Sequence, residues 1–447
     1  MLTIKAMAGG VSYAEHHLSH NDYYSESETI TGRWMGRGAE MLGLRGDVTV
    51  EQFEAIRQSI DPATGEFLRQ RHSADRYGEV ERKGIVTVER KGKAINLYDC
   101  TISAPKAVSI QAMVDHRLIT AHYTAVGETA REMERLAGTR VRLGGANENR
   151  FTSNLVIARY DHDTSRELDP QLHTHLVAAN LTYDGVEGRW KALQPHELYA
   201  QREYLTEVYR NALAREVKKL GYRIEDRFEM GKDNGFGIAG IEEATLEKYS
   251  QRSAQRDQAI AEFAEENGRL PSNNEVAYLV RESRDEKLTK ISREQVKAGQ
   301  LARLEPEEAR TLQDLHQAAQ ERGSVHEHAA AAPSLSYARE HVFERVSVAP
   351  DYGLKTEALR HGRGRIDLPE LQTALVSEVA TGNLLAAKGE VTTKRSLDRE
   401  RGMVGRSTKG SASFKRSGAS ASSHPPRISG KSSGKRSQWC SAAETSP

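Results

Sequence analysis

Residues 154–181 read NLVIARYDHDTSRELDPQLHTHLVAANL. Two runs rich in Leu, Val, Ile and Ala flank nine mostly polar or turn-forming residues, 163–171, which is the pattern of two antiparallel strands joined by a loop. Residues two apart on a strand share a face, so His173 and His175 project together, and His162 ends the partner strand beside them. Three neutral imidazoles meeting at one point would bind a divalent ion and leave positions open for substrate oxygens. Spacing alone keeps a second reading open, because a His-x-His pair on a strand also occurs as a purely structural feature.

The wording around these histidines, HDTSRELDPQLHTHLVAANL, resembles the three-histidine motif of conjugative DNA relaxases of the MobF class. Those proteins belong to the HUH endonucleases, named for a His-hydrophobic-His pair. Thr174 stands at the central position here, a departure from the general motif that this relaxase class shares. The fold implied is an α/β two-layer sandwich, a central antiparallel sheet covered by helices, with helical fingers. The implied metal is a divalent ion, Mg²⁺ or Mn²⁺, held by His162, His173 and His175.

The N-terminus opens with MLTIKAM, a short strand, followed by a polar stretch containing Tyr13, Tyr23 and Tyr24. Read from composition, these are surface or half-buried aromatics. The resemblance gives them another role, since MobF relaxases carry a tyrosine cluster just ahead of a G-x-W-x-G-x-G-A-E-x-L-G-L stretch, present here as GRWMGRGAEMLGL over residues 32–44. The first of the family's two tyrosine pairs is reduced to Tyr13 followed by Ala14, and the second, Tyr23 and Tyr24, is intact. A phenol oxygen attacking a phosphodiester would form a 5′-phosphotyrosine linkage and a free 3′-hydroxyl, conserving the bond energy for rejoining. A free phenol titrates near pH 10, so a nearby cation or base must assist.

YDCTISAPKAVS, residues 98–109, resembles a further relaxase signature. By the resemblance, Asp99 lies beside the histidines, orients one imidazole through its second nitrogen and helps receive the tyrosine proton; otherwise it is a paired structural carboxylate. KGIVTVERKGKAINLYDCTIS predicts a hairpin turning near residues 91–93, and Ser103-Ala104-Pro105-Lys106 predicts a helix start with Ser103 as N-cap, either a plain start or one offering N–H groups and Lys106 to a phosphate. That helix is expected to run to Gly138. Further helices are expected after Thr49, with Phe53, Ile56 and Ile60 on one face, and over Leu205–Leu220, closed by Gly221. Arg189, Lys191 and Arg210 are candidate phosphate contacts, though the plainer reading of any one of them is an ordinary solvated charge. The G-x-G of GFGIAG lacks the rest of a dinucleotide fingerprint and is read as a turn and strand.

At 447 residues the chain exceeds one ordinary domain. Its net charge of +1 conceals a shift, because the last 43 residues hold eight Lys or Arg against one acidic residue and the remainder is therefore acidic. Any DNA site must then be a local cleft rather than a basic surface. Two cysteines, Cys100 and Cys440, exclude a disulfide framework and suit a reducing cytoplasm; no signal-peptide core or membrane span is visible. The expected organisation is a relaxase domain over 1–300, a helical extension and linker over 301–335, a small module resembling the lead-in to a helicase over 336–404, and a disordered Ser-rich basic tail over 405–447. His326 and His328 in the Ala-rich linker are not read as ligands. No phosphate-binding G-x-x-x-x-G-K-[ST] occurs, so the helicase itself is expected to be absent and the tail to be a frameshift product or degenerate end.

The function implied is site- and strand-specific nicking and closing of single-stranded DNA at a plasmid transfer origin with an adjacent hairpin, assisted by accessory relaxosome proteins. Two alternatives stay open: a rolling-circle replication initiator sharing the chemistry, and a non-catalytic DNA-binding remnant. A metal hydrolase unrelated to DNA would leave the tyrosines unexplained.

Overall fold

The structure is a computed structural model, which describes residues 1–8, 31–69, 76–82, 85–92, 95–144, 146–165, 167–272, 275–276, 278–279, 292–325 and 328–402. Tyr13, Tyr23, Tyr24 and the basic tail lie outside these residues. Residues 1–393 form one compact unit; in the second, residues 394–402 are a short helical stretch.

The centre is a five-stranded sheet of β1 (Leu2–Ala8), β2 (Arg33–Met35), β3 (Ile95–Ser103), β4 (Ile157–Thr164) and β5 (Pro170–Ala179), in the order β1-β3-β5-β4-β2. Every neighbouring pair is antiparallel. The sheet is covered by helices, as expected for the relaxase fold. The helix layer comprises α1 (Val50–Arg57), α2 (Lys106–Gln111), α3 (Arg117–Arg135) and α4 (Arg202–Lys219). Later come α5 (Arg293–Ala302), α6 (Pro306–Arg322), α7 (Ala331–Arg345), α8 (Asp351–His361) and α9 (Leu368–Ala380).

The period-two alternation divides the sheet's residues between two cores. Tyr98, Cys100 and Ile102 of β3 with Leu172, Leu176 and Ala178 of β5 face α2, α3 and α4, and join the large core that continues into α7, α8 and α9. Leu97, Val177, Ala179, Ala158 and Tyr160 point the other way, where Trp34 and the α1 residues Phe53 and Ile56 cover them. Asp99, His162, His173 and His175 have the parity of this second face. The smaller core covers only part of it; at the histidine end His173 is buried, and His162 and His175 are half-buried.

Close backbone approach explains two glycines of the GRWMGRGAEMLGL stretch, Gly36 and Gly38. Gly36 takes φ +96°, and a Cβ there would lie 2.5 Å from the Leu155 carbonyl oxygen. The chain turns tightly against the entry to β4, and Glu134 fixes the approach by accepting from Arg37 N (2.7 Å) and Leu155 N (3.0 Å).

Several local expectations are corrected. The strand at Ile85–Gly92 pairs with Arg76–Arg82 as a separate ribbon, while β3 pairs with β1 and β5 in the main sheet. Ser103 is the last residue of β3, and Pro105 is the N-cap of α2 with no side-chain cap. The single helix expected from Lys106 to Gly138 is two, broken between Gln111 and Arg117, where the Asp115 carboxylate accepts from Arg117 N at 3.1 Å and starts α3 afresh. Helix α1 does begin after Thr49, whose hydroxyl accepts from Gln52 N, but it ends before Ile60, which bridges to Phe67 instead. Gly221, at φ +93°, ends α4 as expected. Part of the expected linker is helical, since α7 starts at Ala331.

Candidate metal centre

The β4–β5 register sets His162 opposite His173 and Tyr160 opposite His175, and the β3–β5 register sets Thr101 opposite His175. These pairings bring the three imidazoles together. Ring centroids are 5.0 Å apart for His162 and His173, which stack, and 5.3 Å for each of the other two pairs, which meet edge to face.

Two of the rings are oriented by acceptors on Nδ1. His175 Nδ1 lies 2.9 and 3.0 Å from the Asp99 carboxylate oxygens, and the Thr101 hydroxyl lies 3.2 Å from both that nitrogen and Asp99 Oδ1. His173 Nδ1 donates to the Gln171 carbonyl at 2.9 Å. With the proton on Nδ1, each ring carries its lone pair on Nε2, the tautomer that ligation through Nε2 requires. Burial, and then the neighbouring His175, lower the His173 pKa to about 4, so this ring is neutral at physiological pH. Three imidazoles with these orienting acceptors fit a divalent transition ion, and His162, His173 and His175 would hold it.

The turn between the two histidine strands is tied to distant helices. Asp163 pairs with Arg293 of α5 at 2.7 Å, and Asp169, 1% exposed, pairs with Arg303 at 2.7 Å and accepts from Gln251 Nε2 at 2.8 Å. Gln300 Nε2 donates to the Leu168 carbonyl at 2.9 Å. None of these partners was singled out in the sequence, where no local pattern links residues some 80 to 140 positions apart. Thr101 could have been found, being two residues beyond Asp99 on the same strand face. The Gln171 carbonyl could not, because any residue would supply it.

This strand-borne histidine cluster sits in a chain whose residues 7–306 match the TrwC relaxase family model. The chain belongs to the TrwC relaxase family. The resemblance drawn from its motifs is therefore borne out. It is 34% identical over 295 residues to the multifunctional conjugation protein TraI of Escherichia coli K12, an alignment covering 64% of this chain and 15% of that protein. The chain thus spans about a seventh of the length of this curated relative. Among solved structures it is similar to the conjugative relaxase TrwC in complex with oriT DNA, with 30% identity and a TM-score of 0.54 for the metal-free form, over 70% of this chain and 98% of that one. The metal-bound and copper-bound TrwC complexes give 31% identity each, TM-scores of 0.53 and 0.54, and the same coverage.

In this member of the family, Asp99 and the three histidines come together; the other candidates are placed differently. Lys106 sits at the end of the β3–β5 pair, where its Nζ donates to the Pro170 carbonyl at 3.3 Å and burial lowers its pKa to about 8. Lys191 is held by Glu187 (2.7 Å) and the fully buried Asp184 (3.4 Å). Arg189 also pairs with Glu187 but remains 63% exposed. Arg210 is not brought to the histidines. It lies on α4, on the opposite side of the sheet, with its guanidinium 2.7 Å from Glu207 and 3.5 Å from Asp233, so its charge is neutralised within the protein.

One other convergence of metal-binding residue types occurs among the described residues, where His328 meets Asp367 and Glu370 at the start of α9. Arg215 pairs Asp367 there at 2.8 Å and His328 is half exposed, so we read it as a surface ion-pair cluster. No helix among the described residues is long and apolar enough to cross a membrane.

Proposed function

We propose that this protein is a site- and strand-specific nicking and closing transesterase, acting on single-stranded DNA at a plasmid transfer origin during conjugation. The observation that carries the reading is the three-histidine cluster backed by Asp99, on the sheet of a chain belonging to a relaxase family with members solved on oriT DNA. An adjacent DNA hairpin is the expected recognition feature; TrwC has been solved with a DNA comprising its recognition hairpin and cleavage site.

The reaction follows from the residue types. A phenol oxygen of Tyr13, Tyr23 or Tyr24 forms a bond to the phosphorus, the bond from phosphorus to the 3′ oxygen breaks, and the proton lost by the phenol is balanced by one gained at the 3′ oxygen. A bound divalent ion would supply neutralisation of the phosphate's non-bridging oxygens. Asp99 holds His175 in one tautomer and stands beside the cluster as a proton acceptor. The backbone at Gln171 does the same orienting work for His173. Of the four basic residues considered for DNA contact, Arg189 has the exposed surface to offer a phosphate, and Lys106 has the position at the strand end. Three nitrogen donors suit Mn²⁺ better than Mg²⁺, which prefers oxygen ligands. Action in the cytoplasm with accessory relaxosome proteins completes the proposal.

The test mixes the protein with labelled single-stranded oligonucleotides from candidate transfer origins, each including its hairpin, with and without Mn²⁺ or Mg²⁺. A denaturant-resistant adduct is expected, lost on chelation and in Tyr13→Phe. Loss instead in Tyr23→Phe or Tyr24→Phe would move the nucleophile within the cluster. No adduct with any origin, from folded protein that binds the same DNA, would overturn the proposal.

A further inference from the structure

Thr174 sits between the two histidines of β5, at the position where the general motif has an apolar residue. Strand alternation sends its side chain through to the opposite face of the sheet, and there it is fully buried with a hydroxyl to satisfy. Four side chains solve this together. The Thr174 hydroxyl lies 2.6 Å from Asp161 Oδ1 on β4 and 3.0 Å from His122 Nε2 on α3, and His122 Nδ1 lies 2.7 Å from the Tyr209 hydroxyl on α4.

Counting protons gives the chain one direction. Asp161 Oδ1 also accepts from Arg159 Nε at 2.9 Å, so this oxygen is an acceptor and the Thr174 hydroxyl donates to it. A hydroxyl has one proton, so toward His122 the Thr174 oxygen accepts, and His122 Nε2 carries a hydrogen. His122 is wholly buried, which keeps it neutral; its Nδ1 is then an acceptor and Tyr209 donates to it. The sequence Tyr209 to His122 to Thr174 to Asp161 gives every bond one donor and one acceptor. Arg159 closes the far end, with its guanidinium 4.6 Å from the centre of the Tyr123 ring on α3.

We propose that Tyr209, His122, Thr174 and Asp161 are positioning residues for the three-histidine centre, acting through the β5 backbone to hold His173 and His175 at the angle a metal ion needs. The inference rests on the metal-centre reading of the proposed function. Thr174 is the residue between the two ligands, so anchoring its side chain to α3, α4 and β4 leaves the flanking peptides, and the Cα atoms of both histidines, little freedom to shift. An apolar residue at this position would fill the same space but would not select one position along the strand, because dispersion contacts are not directional. It would also leave His122 Nε2–H without an acceptor in a buried site.

The test uses the full chain without DNA, freed of metal and titrated with Co²⁺, whose visible absorption reports coordination geometry. The wild type is expected to bind at the histidines, with binding lost in His173→Ala. Thr174→Val, which keeps the shape and removes the hydroxyl, is expected to weaken Co²⁺ binding by about tenfold and to change the absorption bands, as loss of an outer partner does in other metal sites. Thr174→Ser is expected to restore both. Tyr209→Phe, remote from the centre and least disturbing to the fold, is expected to shift both in the same direction by less. A Thr174→Val protein that melts cooperatively but keeps the wild-type affinity and spectrum would overturn the inference, as would a serine variant as impaired as the valine one. If the valine variant does not fold, an unchanged affinity and spectrum in Tyr209→Phe overturns it. A wild type that binds no Co²⁺ at the histidines would overturn the proposed function as well, which separates the two failures.

Discussion

Replacing Asp99 by Asn isolates what the carboxylate does for His175. The two carboxylate oxygens lie 2.9 and 3.0 Å from Nδ1, and the Thr101 hydroxyl bonds the same group at 3.2 Å. Asn is nearly isosteric, so packing is retained, but it loses the negative charge and presents one acceptor and one donor in place of two acceptors. The charge strengthens the Nδ1–H bond and makes Nε2 more basic as a ligand. If the amide turns its NH₂ toward the ring, the proton moves to Nε2 and the ligand is lost altogether. Loss of such an outer partner costs about 10–100-fold in metal affinity, or about 1.4–2.7 kcal/mol. The measurement is a calorimetric titration of the metal-free protein with Mn²⁺, wild type against Asp99→Asn, with thermal melting to verify folding. Side-chain exposure of Asp99 is 11%, low enough that solvent screening leaves the effect visible. An Mn²⁺ affinity within about twofold of wild type in a folded variant would refute the view that Asp99 tunes the ligand, far below the drop expected for such a partner.

Two further outcomes follow from buried charge. The His173 and His122 pKa values fall, by burial first, from 6.5 to about 4 and about 3, so between pH 6.5 and those values the unfolded chain binds more protons than the native one. Stability of the metal-free protein should therefore drop as pH is lowered from about 6.5 toward 4, beyond what carboxylates account for, and His173→Gln should flatten that slope in melting curves; parallel slopes would contradict it. On the far side of the sheet, Arg363, whose side chain is 3% exposed, pairs with Glu207 (3.1 Å) and Asp233 (2.7 Å). Arg363→Met removes one of the cations facing those carboxylates while Arg210 stays 2.7 Å from Glu207 and 3.5 Å from Asp233, so it should destabilise by about 3 kcal/mol in urea unfolding, the low end for breaking a buried pair. Metal affinity at the histidines should stay unchanged in the same variant.

Much of the centre was legible because strand alternation is a strict rule. His162, His173 and His175 are related by two strands and one loop, so a period of two and one hairpin suffice to bring them together. Asp99 was reachable through motif wording, and Thr101 through its parity. The break between α2 and α3 was hidden because residues 112–116 are apolar or helix-compatible on either side, and the new start depends on how Asp115 is shared with Tyr222 and Arg117. The strand at Ile85–Gly92 misled for a related reason. Adjacency in sequence favoured pairing with β3, whereas β3 carries buried residues on both faces and has β1 and β5 as neighbours. Charged residues were least legible of all. Arg210 and Arg189 look alike in the sequence, each with a glutamate two or three positions before it, and the depth at which each is buried decides which is spent inside the protein.

The distant partners of the β4–β5 turn also bear on how much of the chain the centre needs. His162 stands at an irregularity, since the β4–β5 register shifts between it and Thr164. Beyond the shift, the turn has Leu168 at φ +58° and the buried Asp169, a conformation and a charge that the hairpin does not satisfy alone. Gln300 binds the Leu168 carbonyl, Arg303 and Gln251 bind Asp169, and Arg293 binds Asp163. Gln251, Arg293, Gln300 and Arg303 are thus what hold the turn that sets His162 against His173. A chain ending before Arg303 would keep every histidine and still lose the cation opposite Asp169. The family match runs to residue 306, just past that arginine, so these turn-binding side chains lie inside the matched stretch, whereas the compact unit and its core continue beyond it to residue 393.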